Sequence, residues 1–290
     1  MAVLTTELRN ELLIRSVLVV AAHPDDETIG CGALLAGLDD GIRKYVVHVT
    51  DGAPRDQQLF PEGVRTSREA YASMRREEAL SALSMARIDA RRLYSLGAVD
   101  QEASFELPRL HDALTELLRE LRPDVVIAHA YEGGHPDHDA ASFLAHKACA
   151  TFGAFTGNAP LLVEMTGYHS AAGRLVTGHF LPSPTEPEAH TAHDPVDVLR
   201  RLASMTPALV RYLPSAQLVS KKAAMMGAFA SQKAVLRAFG HSYELFRHAP
   251  RYDFSRAPHE GPLHYERLGW KVTGEVFRHH VRLAEKELVP

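Results

Sequence analysis

Apolar and polar positions follow two alternating rhythms through the first part of the chain. Short unbroken apolar runs at residues 16–21 (SVLVVA), 45–50 (YVVHVT) and 124–130 (DVVIAHA) read as strands buried on both faces. A shorter strand is expected at 92–96. Between these runs the spacing changes to that of helices, over 28–38, 68–86, 107–121 and 136–150. Ala79, Leu80, Leu83 and Ala86 make an apolar stripe on the second of these, and Pro136 sits where a first helical turn favours proline. Strand and helix in strict alternation imply parallel strands joined by right-handed crossovers. The fold class expected is therefore α/β, a Rossmann-like, doubly wound, mostly parallel sheet of order 3-2-1-4-5 with helices on both faces.

Two further strands, at 161–168 and 174–181, are expected to extend that sheet. A loop at 182–195, a helix at 216–239, an aromatic and His-rich loop at 251–265 and a terminal helix at 273–288 follow. This divides the chain into a core at 1–185 and, at 186–290, a C-terminal helical and loop elaboration of the same domain.

The chemistry lies where strands end. Directly after the first strand come His23, Pro24, Asp25, Asp26 and Glu27; after the strand at 124–130 come His135, Pro136, Asp137 and His138. In a sheet of this order the two strands are neighbours at the switch point, so both groups should line one crevice. A hydrolytic zinc site takes three His or carboxylate ligands and keeps one position for water. His23, Asp26 and His138 supply such a set, Asp25 is placed to take a proton from that water, and His135 to stabilise the oxyanion or protonate the leaving nitrogen. Asp137 and Asp139 are read as favouring a helix N-terminus through the macrodipole, outside the site.

Other residues carry weaker signals. Asp51, at the end of the second strand, is either a contact to substrate hydroxyls or a turn residue before Gly52. Arg75 and Glu78 stand one helical turn apart, where a solvated ion pair is the ordinary reading and a substrate contact by Arg75 the alternative. His48 and His129 fall inside apolar strands and are expected to be satisfied core residues. The segment from Tyr252 to Trp270 has the composition of a sugar-stacking lid, although packing on the sheet would explain it equally. Gly30 and Gly32 do not make a dinucleotide loop, because Leu35 stands where that motif needs a small residue. No P-loop, no H-E-x-x-H and no G-x-S-x-G occurs.

The two runs together resemble the PIG-L/LmbE-type N-deacetylases, whose hallmarks are A-H-P-D-D-E after the first strand and H-P-D-H after a later one. Thr50-Asp51-Gly52 and the R-x-x-E frame Arg75–Glu78 resemble the family as well, with an echo at Lys222 and Ser231-Gln232. The resemblance implies zinc on His23, Asp26 and His138, Asp25 as general base and His135 as its assistant. It implies removal of acetyl from the amine of an N-acetylated sugar or glycoconjugate. Two positions depart from the pattern. Gly133 stands where thiol-glycoside deacetylases of the family carry a tyrosine, so Tyr131 must substitute or the role is absent. Phe229 begins the segment that reads H-x-S-Q in the family.

Composition changes this picture little. A 290-residue chain that is 46% hydrophobic and 23% charged is ordinary for a globular protein. Its net charge of −4 and lack of a basic block argue against nucleic acid as partner. No apolar run is long enough to span a bilayer. Glu7, Arg9, Glu11 and Arg15 give the N-terminal stretch a charge pattern unlike a secretory leader, so a cytoplasmic enzyme is expected, with a homo-oligomer possible. Cys31 and Cys149 lack a metal or redox frame and read as reduced core thiols. Two alternatives compete with the deacetylase: a zinc amidase cutting a larger amide conjugate, and a catalytically retired sugar-binding subunit.

Overall fold

In the computed structural model, residues 14–182, 188–204 and 208–288 are described. The N-terminal stretch bearing Glu7, Arg9 and Glu11 lies outside them. The element order is β1 (Ser16–Ala21), α1 (Asp26–Gly37), β2 (Arg43–Pro54), α2 (Arg68–Met85), β3 (Leu93–Asp100), α3 (Leu107–Leu121), β4 (Val125–His129), α4 (Pro136–Thr156) and β5 (Leu161–Met165). There follow β6 (Tyr168–Ala171), β7 (Arg174–Thr177), β8 (His190–Ala192), α5 (Pro195–Ser204), β9 (Leu209–Tyr212) and α6 (Ala216–Gly227). The chain closes with α7 (Lys233–Leu236), β10 (Glu244–His248), α8 (His264–Arg267) and α9 (Gly274–Glu287).

Eight of the described strands form one sheet of order β3-β2-β1-β4-β5-β10-β9-β8. Its first five strands are parallel and in the doubly wound order expected; β10 then pairs antiparallel to both β5 and β9. Alternation along β1 explains the three layers. Val17, Val19 and Ala21 face a core shared with α1, α2, α5 and α6, whereas Leu18 and Val20 face one shared with α3, α4 and α9. A strand fully buried on both faces reads as the unbroken apolar run seen in the sequence.

Three expectations need correction. Residues 174–177 do not extend the sheet; β7 pairs with β6 in a separate two-stranded ribbon. His169 and Ser170 of β6 are buried, whereas β7 runs from exposed to half-buried positions and has no buried residue to set into the main sheet. The helix expected over 216–239 stops at Gly227, and a 3-10 turn (Ala230–Gln232) and the short α7 take its place. Finally, β3 runs on to Asp100, four residues past its expected end, because Gly97 takes a positive φ of 75° where the β2–β3 register shifts.

Candidate metal centre

The site lies at the C-terminal edges of β1, β3 and β4, where an open α/β sheet places ligands. His23, Asp26 and His138 meet as expected: each offers one ligand atom, and these atoms lie within 4.8 Å of one another. His23 Nδ1 is 3.1 Å from Asp26 Oδ2, and His138 Nε2 is 3.3 Å from Asp26 Oδ1. All three side chains are buried.

A second group was not expected. His23 Nε2 lies 3.2 Å from both Asp100 Oδ1 and Asp137 Oδ2, and His135 Nε2 approaches the same Asp100 oxygen at 3.8 Å with its ring edge-on to that of His23 at 4.4 Å. Asp137 therefore belongs to the site rather than serving only the helix N-terminus. Its carboxylate also accepts the backbone N–H groups of Gln101 and Ala103, which locks it to the loop after β3. The two groups share His23 through opposite ring nitrogens. Nε2–H directed at carboxylates leaves Nδ1 free to bind a cation, the carboxylate–histidine arrangement typical of metal-ligating imidazoles. On the chemistry of its donors the set fits a divalent ion.

Charge at the site is set by burial and by these neighbours. Burial pulls the His23 imidazolium toward neutrality, but Asp100, Asp137 and Asp26 more than offset it and hold its pKa well above the ordinary value. Burial brings His138 down to about 4, only partly opposed by Asp26. His135 is likewise held well below its ordinary value by burial and by the charge on His23. These two influences favour its neutral form. Its Nδ1 accepts the Asp137 N–H at 3.1 Å, which assigns the proton to Nε2, a hydrogen-bond donor facing the crevice.

Asp25 stands in the turn between two ligand candidates with φ 141°, a strained conformation for a non-glycine residue. Arg75 clamps that turn. Its guanidinium donates to Pro24 O at 2.6 Å and Gly52 O at 3.1 Å and lies 3.1 Å from Asp25 Oδ2. The expected solvated Arg75–Glu78 pair does not form: Arg75 is buried, and Glu78 instead accepts from Ser231 N–H and Oγ–H. Burial pushes the Asp25 carboxyl up to about 8, against the pull of Arg75. Asp51 behaves as a turn residue, accepting the Ala53 N–H and pairing with Arg68 at 2.6 Å.

His48 is satisfied, with Nε2 3.1 Å from Glu27. His129 is more than core: it stacks on His138 at 4.0 Å, and Nε2 accepts the Ala22 N–H 3.4 Å from Asp26. Tyr131 does not replace the tyrosine absent at Gly133. Its hydroxyl donates to Arg256 O, and its ring packs on Tyr252, Phe254 and Phe277 in the second core. Gly133 itself has φ 68°, and a Cβ there would meet Leu263 at 2.6 Å, so no side chain fits. The aromatic ring on the site is Tyr168, whose centroid is 5.0 Å from that of His138. Of the late aromatic segment, Phe254 and Tyr265 are core, while Trp270 packs edge-on against His135 at 4.7 Å. Cys31 and Cys149 are buried free thiols.

The class of protein these features define is a doubly wound α/β domain with a buried His/carboxylate crevice at its switch point, whose side chains could hold a metal ion. Residues 18–149, the segment that carries both His-Pro-Asp runs, match the family model for PIG-L, GlcNAc-PI de-N-acetylase. A 1D-myo-inositol 2-acetamido-2-deoxy-alpha-D-glucopyranoside deacetylase of Saccharopolyspora erythraea is 33% identical, over 46% of this chain and 53% of its own. A probable N-acetyl-alpha-D-glucosaminyl L-malate deacetylase of Bacillus subtilis is 30% identical, over 43% of this chain and 56% of its own. The chain thus spans about half the length of the curated relatives it matches. In fold it is similar to the A40926 pseudoaglycone deacetylase (TM-score 0.57, 16% identity, 82% of this chain and 98% of that one). It is also similar to a deacetylase of the teicoplanin biosynthesis pathway (TM-score 0.55, 16% identity, 82% and 99%). Among the described residues no helix is long and apolar enough to cross a membrane.

Proposed function

We propose that the protein is a zinc-dependent N-deacetylase, removing acetyl from the amine of an N-acetylated sugar or glycoconjugate. The observation that carries this reading is the convergence of His23, Asp26 and His138 with Asp25 held in the turn between them. The relatives' names supply the substrate class: both act on N-acetylglucosaminyl conjugates.

His23, Asp26 and His138 would hold the ion, and Asp100 with Asp137 fixes the His23 ring. A divalent cation there supplies Lewis-acid polarisation of the acetyl carbonyl and acidifies the attacking water. Asp25 takes the proton of that water and passes it toward the departing amine, a role in which one positioned carboxylate contributes about 10²–10⁴ in rate. Neighbouring positive charge lowers a carboxyl pKa, so the loaded site holds Asp25 as the base. Arg75 is a positioning residue, fixing the strained turn and the Asp25 carboxylate. His135 presents its Nε2–H to the developing oxyanion. Residues 186–290 complete the domain by adding β8, β9 and β10 to the sheet and by supplying the segment around Trp270.

The test is acetate release by zinc-loaded protein from a panel of N-acetylated sugars and glycosides, with Asp25→Asn as control. Release by the wild type, lost in the variant while zinc stays stoichiometric, is the expected result. Full turnover by Asp25→Asn would overturn the base assignment.

A further inference from the structure

Outside the crevice, four large apolar side chains converge without covering one another. Leu59, Phe105 and Leu268 are 43%, 47% and 50% exposed, and all three line the same groove as the half-buried Trp270. The groove encloses about 290 Å³, enough for one ring-sized group or a short chain. Exposed hydrophobic side chains scattered singly are ordinary; three in one concavity with an aromatic floor mark a binding surface. Its charged walls are already engaged. Arg55 and Glu102 hold each other through two hydrogen bonds of 2.7 and 2.9 Å, and Asp56 caps the following turn through the Gln58 N–H. Apart from Gln101 and the exposed Lys271, the uncommitted side chains of the lining are apolar.

The groove adjoins the candidate metal centre through two of its lining residues. Asp100 lines it and also lies 3.2 Å from His23 Nε2, while Trp270 forms part of its wall and meets the His135 ring. Trp270 reaches this position because Gly269 turns the chain with φ 70° directly after α8. A substrate whose acetamide sits at the His23/His138 group has only a short path to the groove.

We infer that this groove, floored by Trp270 and walled by Leu59, Phe105 and Leu268, is an aglycone subsite. The group joined to the N-acetylated sugar would therefore be an alkyl or aryl moiety rather than a second hydroxylated ring. The inference rests on the deacetylase reading for its sugar and on the groove alone for its aglycone.

The experiment compares methyl and octyl glycosides of N-acetylglucosamine with the zinc-loaded protein. The readout is the ratio of kcat/KM for octyl over methyl within each variant, so partial folding or zinc loss cancels. The wild type should prefer octyl by about tenfold or more, since several methylenes leave water. Phe105→Ser and Leu268→Ser should reduce the ratio to about two- to threefold, as each removes part of the apolar wall. Equal rates for both glycosides in the wild type, or an unchanged ratio in both variants, would overturn the proposal. Trp270 is the single tryptophan of the chain, so its emission reports on the groove without any turnover. Saturable change with octyl but not methyl glycoside is expected even if no acetate is released, an outcome that would remove the deacetylase reading and leave the subsite standing. An emission change that follows protein concentration instead, with dimer in sedimentation, would mean that a second copy fills the groove, and would overturn it.

Discussion

Lys222 offers the sharpest test of how the fold holds the site. Its ammonium is buried and donates to Glu244 Oε1 at 2.9 Å and to Ile29 O at 2.7 Å. Glu244 in turn accepts the N–H groups of Ala33 and Leu34, at 2.7 and 2.9 Å. Those amides are free because α1 is kinked: Cys31 has φ −146° and ψ 24°, which interrupts the helical ladder just before them. In Lys222→Met a carboxylate with no cation is left in the core. At an effective dielectric of about 20, charges about 3 Å apart attract by roughly 5–6 kcal/mol. The two amide donors still support Glu244, so the expected loss is about 3–4 kcal/mol, inside the range for truncating one partner of a buried pair. For a chain of this size that corresponds to about 6–16 °C in Tm. Urea unfolding of Lys222→Met, Glu244→Gln and the double variant at neutral pH, after chelation, measures it. The double variant should be more stable than the sum of the singles implies by about 2 kcal/mol, since it leaves no unpaired charge. A loss under about 1 kcal/mol, or additivity within about 0.5 kcal/mol, would refute the argument.

Further outcomes follow from the same geometry. Asp137→Asn should weaken zinc affinity by about 10–100-fold, because the oriented partner of His23 Nε2–H is lost; competition with a chromophoric chelator measures it, and a change under about twofold would contradict the arrangement. In the metal-free site the pKa values of His23 and Asp25 are both raised, the latter to about 8, so both hold protons near neutrality. A cation must displace those protons, so affinity should rise with pH up to about 8, with about one or two protons released per ion; calorimetry in buffers of different ionisation enthalpy would expose zero release. Arg75→Met removes the cation that lowers the Asp25 pKa, so the acidic limb of the pH profile of kcat/KM should move to higher pH. An unmoved limb would show that Asp25 is not the group titrating there.

How much of this was legible in the sequence depended on whether the signal was local. β1 and β4 were readable because strands buried on both faces leave unbroken apolar runs, and α3 was placed at its observed bounds because its apolar stripe is strong. His23, Asp26 and His138 were readable because each follows such a run within a few residues. Asp100 was not, since the Gly97 bulge hid the continuation of β3 and a lone Asp after Gly-Ala-Val carries no motif. Asp137 was misread because an acid in the first turn of a helix already has a sufficient local explanation. The role of Arg75 depends on Pro24 O and Gly52 O, which lie far from it in sequence. Gly133 is explained by its φ of 68° and by Leu263, a contact across more than a hundred residues.

These long-range contacts share one purpose. The turn carrying Asp25 departs from allowed backbone geometry, a strain of about 1–3 kcal/mol that persists only where the surroundings over-determine it. Arg75 pins the turn from α2 through two carbonyls, while the Asp25 N–H is held by Glu27, itself paired with His48 on β2. From below, Glu244 and Lys222 fix the kinked body of α1 against β10 and α6. The placement of α1 is thus set by side chains from α2, β2, β10 and α6, two of which lie beyond the segment that matches the family model. The candidate ligands lie within 18–149, but the position of the turn between them is completed by the C-terminal part of the chain. Removing that part would unlock α1 before it touched a single ligand. The C-terminal segment is therefore as much a determinant of the candidate centre as the His-Pro-Asp runs themselves.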